Sequence, residues 1–157
     1  MSTSSFFLSI SFLFVFFVSV KAQETEAIRM KQFNLEDGVA MSGYDPVSYF
    51  SGKPEKGLKT FILKYKSVTY RFASQANLDK FKTDPGRYEP AYGGWCAYAM
   101  GERGEKVEVD PATFKIINGK IYLFYNAFFN NTLHDWNKDE ANLKKKADQH
   151  WTSFTKP

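Results

Sequence analysis

The sequence predicts an α+β domain in which small antiparallel β-hairpins are interleaved with short helices. Apolar residues alternate in two pairs of short segments, and only two residues separate the members of each pair, a spacing typical of β-hairpins. Apolar residues at helical spacing follow each pair. Hairpins with helices between them favour small antiparallel sheets over one parallel sheet.

Residues 1–22 are predicted to be a cleaved secretory signal peptide. Phe6–Val20 is a largely apolar run of 15 residues, and Val20 and Ala22 occupy the −3 and −1 positions before Gln23. A helix that spans a membrane needs about 20 apolar residues, which favours a cleaved signal over a retained anchor. We therefore expect an exported protein, periplasmic or extracellular, that begins near Gln23 and has no stable membrane insertion after cleavage.

The composition of the remaining 135 residues fits one domain that is held together by packing. Loss of Lys21 leaves 20 basic and 17 acidic residues, without the basic footprint of a nucleic-acid-binding protein. We therefore expect no nucleic-acid partner. Cys96 is the only cysteine, so no intrachain disulfide can form. The chain has 16 Phe, 9 Tyr and 3 Trp, and such large side chains can build a core.

The predicted domain covers residues 38–154, and residues 23–37 are predicted to be a flexible polar segment. Asp45 is placed to cap one helical turn over Pro46–Phe50. Residues 51–57 form a loop by composition.

The first predicted hairpin pairs Thr60–Tyr65 with Val68–Phe72, although its two-residue link has poor turn chemistry. Ser74 then caps a predicted helix, which ends at Asp84 because a proline and a glycine follow. These segments supply the first hairpin and helix of the domain.

The second predicted hairpin pairs Thr113–Ile117 with Lys120–Tyr125 across Asn118–Gly119, the strongest short hairpin signal. A C-terminal helix is predicted to start near Asn137, with Glu140 as its capping partner. Its apolar stripe consists of Trp136, Leu143, Ala147, Trp151 and Phe154.

Four stretches of the chain carry a resemblance to a known family. They are GYDPVSYF at 43–50, VTYRFASQANLDKFKTDPGRYEPAYGGWCAYAMG at 68–101, VDPATFKIINGKIYLFYN at 109–126 and KADQHW at 146–151. Together they resemble the YHS domain family, specifically its exported single-domain branch. The resemblance covers nearly the whole predicted domain, so it rests on more than a lone motif.

The resemblance bears on metal binding. Metal-binding relatives carry cysteines in the patterns DPVC and FCSxxC, and the corresponding residues here are Ser48, Ala73 and Asn77. A thiolate site needs several cysteine ligands, and none of these three residues supplies one. The resemblance implies that the retained cysteine of this branch is the one in GGWCAYA, Cys96. Some similar proteins carry selenocysteine there, which implies a nucleophile, redox centre or metal ligand.

Cys96 is therefore the candidate catalytic residue and a candidate metal ligand. Gly93–Gly94 permits a sharp turn, and a helix that opens at Trp95 would place Cys96 in its first turn, where free amides favour a thiolate. Met100 would then lie on the same helical face. A thiolate and a thioether together suit a soft metal ion such as copper in its Cu(I) state.

The histidines are possible partners of Cys96, and simple packing is the alternative interpretation of this residue. His134 and His150 are the only histidines, and a histidine beside Cys96 would form a nucleophile–base pair or complete a metal site. His134, predicted on a surface turn, is the further candidate metal ligand, whereas His150 is expected at the edge of the core. A free cysteine is also among the most commonly buried residues, which favours simple packing of Cys96.

Three hypotheses of function remain open on the sequence. The first is a small exported binding domain that holds a soft metal ion through Cys96. The second is a thiol-dependent redox protein with Cys96 as nucleophile, which lacks a resolving cysteine and would need a small thiol or another partner. The third is a non-catalytic interaction module in which Cys96 packs and an aromatic surface binds the partner. The sequence assigns no enzyme class and identifies no protein partner.

Overall fold

The computed structural model describes residues 23 and 25–156 and has the α+β architecture that the sequence predicts. The helices are α1, which includes residues 25–32, α2 (Gln75–Thr83), α3 (Pro85–Tyr88), α4 (Ala97–Arg103), α5 (Thr132–Lys138) and α6 (Glu140–Thr155). The strands are β1 (Leu35–Glu36), β2 (Val39–Ala40), β3 (Leu58–Tyr65), β4 (Val68–Phe72), β5 (Asp110–Ile117), β6 (Lys120–Phe124), β7 (Asn126–Ala127) and β8 (Asn130–Asn131). Short 3-10 segments lie at Met41–Gly43, Ser48–Ser51 and Ala91–Gly94.

The strands form one four-stranded sheet and two two-stranded sheets. The larger sheet has the order β1-β2-β4-β3. β3 and β4 pair antiparallel with Leu63 opposite Tyr70, and β2 joins β4 in parallel with Val39 opposite Thr69. This parallel pair is absent from the sequence prediction because a two-residue strand leaves no periodic pattern. The smaller sheets are the hairpins β5–β6 and β7–β8.

Both predicted hairpins are confirmed, and their turns share one geometry. Asn118–Gly119 has φ angles of 51° and 73°, and Lys66–Ser67 has φ angles of 45° and 68°. Positive φ at both central residues gives a turn whose twist matches the flanking strands. Asn-Gly adopts this conformation readily, whereas in the other turn the Ser67 hydroxyl gains a hydrogen bond to Glu26.

The core consists of two apolar clusters. The first includes buried residues of β4 and α2, among them Val68, Tyr70, Phe72, Leu78 and Phe81. The second includes Met100, Phe124, Trp136, Leu143 and Ala147. In it α4 approaches α6 so closely that a Cβ on Gly101 would lie 2.5 Å from the Leu143 carbonyl oxygen. A glycine is therefore needed where these two helices touch.

The N-terminal segment 23–37 differs from its prediction as a flexible polar stretch, because its described residues include α1 and β1. The Phe33 ring lies 5.9 Å from the Trp151 ring, and the Asn34 N–H donates to the Gly93 carbonyl at 2.9 Å. Because the contacts of this segment are with residues far away in the chain, the local sequence pattern does not predict them. The signal peptide predicted for residues 1–22 lies outside the described residues. No helix described here is long and apolar enough to span a membrane.

The predicted start of the C-terminal helix, near Asn137, is wrong. α5 begins upstream of it, where the Asn131 side chain accepts the N–H of the second helical residue at 3.0 Å, and α6 begins separately at Glu140. Glu140 does not act as the predicted capping partner. Its carboxylate accepts the Trp136 indole N–H at 3.1 Å and pairs with Lys115.

Candidate functional site

Cys96 lies between an irregular turn and α4. Tyr92, Gly93 and Gly94 have φ angles of 52°, 60° and 91°, so the chain turns sharply where the two glycines predict it. Cys96 is the N-cap residue of α4, with φ −57° and ψ 117°, rather than a residue of the first turn. Its carbonyl accepts the Met100 N–H at 3.0 Å. The helix opens after Cys96, so the thiol is not on its predicted helical face.

The Cys96 thiol is fully buried and hydrogen-bonded. Its exposed fraction is 0%, and its sulfur accepts the Tyr125 N–H at 3.4 Å. Thr132 Oγ1 lies 3.4 Å from the sulfur and donates to the Tyr125 carbonyl at 3.0 Å. Because a threonine hydroxyl has only one hydrogen, its oxygen is left to accept the Cys96 S–H. The thiol therefore links the N-terminus of α4 to the start of α5 and to Tyr125, the residue that follows β6.

A pocket of about 260 Å³ adjoins Cys96, which forms part of its lining. Tyr98 and Tyr125 contribute aromatic rings, and Arg103 and Asn130 contribute polar groups. The Arg103 guanidinium pairs with the Glu105 carboxylate at 2.8 Å, and both side chains are 55% exposed. The pocket thus combines aromatic and polar walls above a buried thiol.

The other predicted metal ligands have different surroundings. Met100 is 0% exposed and packs in the second core cluster, to which Cys96 does not belong. His134 is exposed but lies on α5 rather than on a turn. His150 lies at the core edge, as predicted, with its Nδ1 2.7 Å from the Met100 carbonyl oxygen. Among the described residues, no three His, Cys, Asp or Glu side chains are grouped to hold a metal ion. The soft-metal hypothesis stays a prediction.

Ser48, Ala73 and Asn77, the residues that the YHS resemblance matches to cysteines, lie around Asp45, which is fully buried. Asp45 Oδ2 accepts the Ala73 N–H at 2.8 Å and the Asn77 side-chain amide at 2.6 Å. Its Oδ1 accepts the Val47 N–H at 2.8 Å, and the Ser48 hydroxyl donates to its carbonyl at 2.7 Å. These bonds join the 3-10 segment after Asp45 to the start of α2, which makes the cluster a structural junction.

Sequence analysis did not single out Phe128 and Phe129, which form the tip of the β7–β8 hairpin. Their exposed fractions are 92% and 113%, whereas Ile62, the next most exposed large apolar residue among those the structure describes, is 54% exposed. Their φ angles are 50° and 64°. Asn130 follows the tip and lines the pocket beside Cys96, so the tip and the pocket adjoin. The available signal was the Phe pair between Ala127 and Asn130, and Phe-Phe is not a recognised turn sequence.

Comparisons of the chain with protein-family models, with curated proteins and with solved structures gave no match. The resemblance to the YHS family therefore stays an expectation from the sequence motifs. The α+β fold is established from the strands and helices themselves. The Phe128–Phe129 tip and the pocket beside Cys96 are neighbouring surface features, since Asn130 follows the tip and lines the pocket.

Proposed function

We propose that this chain is a small exported YHS-like binding domain that acts as a non-catalytic interaction module and docks a partner protein through Phe128 and Phe129. The observation that carries the proposal is the near-complete exposure of both rings on a two-residue turn. The sequence motifs support the family and the export. The complete burial of Cys96 supports packing rather than catalysis.

The tip is unfavourable for the fold on two counts. A left-handed backbone conformation costs about 1–2 kcal/mol for an ordinary residue, and both Phe128 and Phe129 adopt it. An exposed phenylalanine also forgoes about 1.5–3 kcal/mol of burial. The equivalent turn between β5 and β6 uses Asn118–Gly119, which avoids both penalties. The two rings do not stabilise the fold, and burial against a partner protein would explain why they are present.

The surroundings of the tip favour a protein partner over a lipid surface. Residues 121–133 contain no charged side chain, whereas stable anchoring to an anionic membrane usually combines an inserted apolar group with a basic cluster. The adjoining pocket presents Tyr98, Tyr125 and Arg103. Tyrosine and arginine are enriched at the energetic centres of protein–protein interfaces. The tip and the pocket together would fit a partner protein whose surface has an apolar groove, for the two rings, and a polar rim, for the pocket residues.

The first experiment places a photo-crosslinking phenylalanine analogue at position 128 of the full chain in its cell of origin. Position 118, at the exposed tip of the β5–β6 hairpin, is the matched control. We expect a discrete protein adduct from position 128 that is absent from position 118. The same adducts from both positions, or lipid adducts alone from position 128, would overturn the proposal.

The second experiment replaces the tip with the residues that its turn favours, as Phe128→Asn with Phe129→Gly. We expect the melting temperature to rise, because the left-handed strain is relieved by about 1 kcal/mol or more. Affinity for the crosslinked partner should fall by about 100-fold, since two interface anchors are lost. Asn118→Ser is the control and should leave affinity unchanged. A tip variant that keeps its affinity contradicts the proposal.

Cys96 supports a second candidate, the thiol-dependent protein, because this residue forms part of the lining of a pocket. The test is the rate at which iodoacetamide labels the folded chain, compared with a Cys96→Ala chain that carries an exposed cysteine at position 118. Packing predicts labelling of Cys96 only after denaturation, and a working thiol predicts labelling of the folded protein. A Cu(I)-dependent rise in melting temperature that Cys96→Ala abolishes would instead support the soft-metal hypothesis.

A further inference from the structure

A separate pocket of about 290 Å³ shares no residue with the one beside Cys96. Its aromatic walls are Phe33, Tyr92, Tyr122 and Trp151. The Phe33 and Trp151 ring centroids lie 5.9 Å apart, and those of Tyr92 and Tyr122 lie 5.6 Å apart. Concave sites with aromatic walls and a few polar groups are the usual form of small-molecule pockets.

The two acidic residues of this pocket are already bonded within the fold. Glu89 forms an ion pair with Arg29, and the side chains of both are nearly buried. Asp148 accepts the Tyr92 hydroxyl on Oδ1 at 2.9 Å and the Lys144 ammonium on Oδ2 at 2.7 Å. Their negative charge is compensated, so neither carboxylate is free to bind a cationic ligand.

Lys120 is the third charged residue of the pocket and the one without an ionic partner. No carboxylate oxygen of residues 25–156 lies within 4.0 Å of its ammonium. The ammonium donates to the Gly86 carbonyl at 2.7 Å, which leaves two of its three N–H donors for a ligand. Burial lowers the pKa of Lys120, and the nearby charges of Glu89 and Asp84 only partly offset that effect.

We propose that this pocket binds a small aromatic carboxylate, with the ring against the aromatic walls and the carboxylate on Lys120. A carboxylate accepts hydrogen bonds from the ammonium, and such charge-assisted bonds are about twice as strong as neutral ones. A neutral aromatic ligand fills the same walls but makes weaker bonds to Lys120. An aromatic amine is repelled by the Lys120 ammonium, which has the same charge, and the carboxylates of Glu89 and Asp148 are already paired.

The backbone at one wall of the pocket is unusual in a way that fits a binding site. Tyr92 has a φ of 52°, which is rare for a bulky residue, and such strain is concentrated at ligand-binding sites. Next to it, a Cβ on Gly93 would lie 2.8 Å from the Trp151 ring and 2.9 Å from the Phe33 ring. The absence of a side chain at Gly93 thus lets these two rings close the wall.

The test is an NMR titration of the full mature domain with benzoate, benzyl alcohol and benzylamine, three probes of similar shape and different charge. We expect benzoate to shift the Gly93 and Tyr122 amide signals in a saturable way. Its dissociation constant should be at least about tenfold lower than that of benzyl alcohol, the effect of one charge-assisted hydrogen bond. Benzylamine should bind most weakly.

Variants at Lys120 separate the charge effect from the shape of the pocket. Lys120→Gln should abolish the preference for benzoate over benzyl alcohol, Lys120→Arg should keep it, and Lys53→Gln, on an exposed loop, should not alter it. The proposal is overturned if the wild-type domain binds benzylamine or benzyl alcohol as tightly as benzoate, or if benzoate gives no saturable shift at this pocket. The comparison of the three probes needs no variant, so a Lys120 variant that fails to fold leaves it intact.

Discussion

Gly93 is the residue at which the N-terminal segment, the turn before Cys96 and α6 meet. It has a φ of +60°, and its Cα faces the rings of Phe33 and Trp151. Its carbonyl also accepts the Asn34 N–H at 2.9 Å. Because backbone and rings from three parts of the chain converge here, a side chain at this position would need a left-handed backbone and would displace its neighbours.

Gly93→Ala is expected to destabilise the domain by about 3 kcal/mol, from overpacking and left-handed strain together. Gly119→Ala is the matched control, since Gly119 has a φ of +73° and no atom within 4 Å of an added Cβ. It should cost about 1 kcal/mol, the conformational part alone. Urea denaturation of the three proteins measures the difference, and equal losses would show that the rings move aside freely.

The junction between α5 and α6 shows how a tertiary contact sets the ends of two elements. Glu140 is the first residue of α6, and its carboxylate accepts the Trp136 indole N–H from α5. The same carboxylate pairs with Lys115 on β5. The hydrogen bond from Lys115 lowers the pKa of Glu140, with the Trp136 hydrogen bond adding to the effect. One side chain therefore joins both helices to a strand.

The lowered pKa of Glu140 predicts a pH-dependent contribution to stability. A carboxyl with a lower pKa in the folded state stabilises above its unfolded value of 4.5, and the contribution disappears as the pH falls through the folded-state pKa. Glu140→Gln should therefore lose about 0.5 kcal/mol at pH 7, a small amount because the ion pair is partly exposed, and the loss should shrink as the pH falls below 4.5.

Thermal unfolding at a series of pH values measures this difference between Glu140→Gln and the wild type. Glu102→Gln, on the exposed side of α4, is the control and should follow the wild type throughout. A loss in Glu140→Gln that is equally large at low pH would mean that the side chain acts through packing or neutral hydrogen bonds rather than through its charge.

At the scale of the whole molecule, α1 is tied to the rest of the domain by a nearly buried ion pair. The side chains of Arg29 and Glu89 are 13% and 12% exposed, and the Tyr70 hydroxyl donates to Glu89 at 2.5 Å. Burial alone lowers the pKa of Arg29, but the hydrogen bond and charge of Glu89 outweigh it and raise the pKa. The pair connects the N-terminal helix to the first core cluster through Tyr70.

Arg29→Met is expected to destabilise the domain by about 3 kcal/mol, because it leaves the Glu89 carboxylate buried without its cation. Adding Glu89→Gln should recover part of that loss, since the uncompensated charge is removed. Lys82→Met is the control, because it breaks an ion pair with Asp79 whose side chains are more than half exposed, and it should cost less than about 0.5 kcal/mol. Denaturant unfolding of the wild type and these three variants measures the losses, and equal losses in Arg29→Met and Lys82→Met would refute the argument.

Several helices and strands show how well the local sequence pattern predicts the bounds of an element. Strand β4 spans the predicted residues Val68–Phe72, because alternation is a property of neighbouring side chains. Ser74 caps α2 as predicted, with its hydroxyl 3.2 Å from the Asn77 nitrogen. The helix predicted to open at Trp95 is also present, but it begins at Ala97, with Cys96 as its N-cap residue. The start of α5 was missed because the asparagine that caps it belongs to a two-residue strand.

The candidate site was predictable only in part. The sequence identified Cys96 and the sharp turn before it, since two adjacent glycines are a local signal. It did not predict that Thr132 and Tyr125 form hydrogen bonds to the sulfur, or that Met100 packs in a core cluster that excludes Cys96. It also did not identify Lys120 as a candidate binding residue, because that role depends on the absence of a carboxylate partner among the described residues.

The α+β class, the two main hairpins and the position of the sole thiol follow from the sequence alone, because each depends on residue types within a few positions of one another. The folded structure is needed to show that Cys96 is buried, that Phe128 and Phe129 are exposed, and that α1 packs as part of the domain. Burial and exposure depend on which distant segments pack together. No local period encodes those contacts, so they emerge only when the chain is folded.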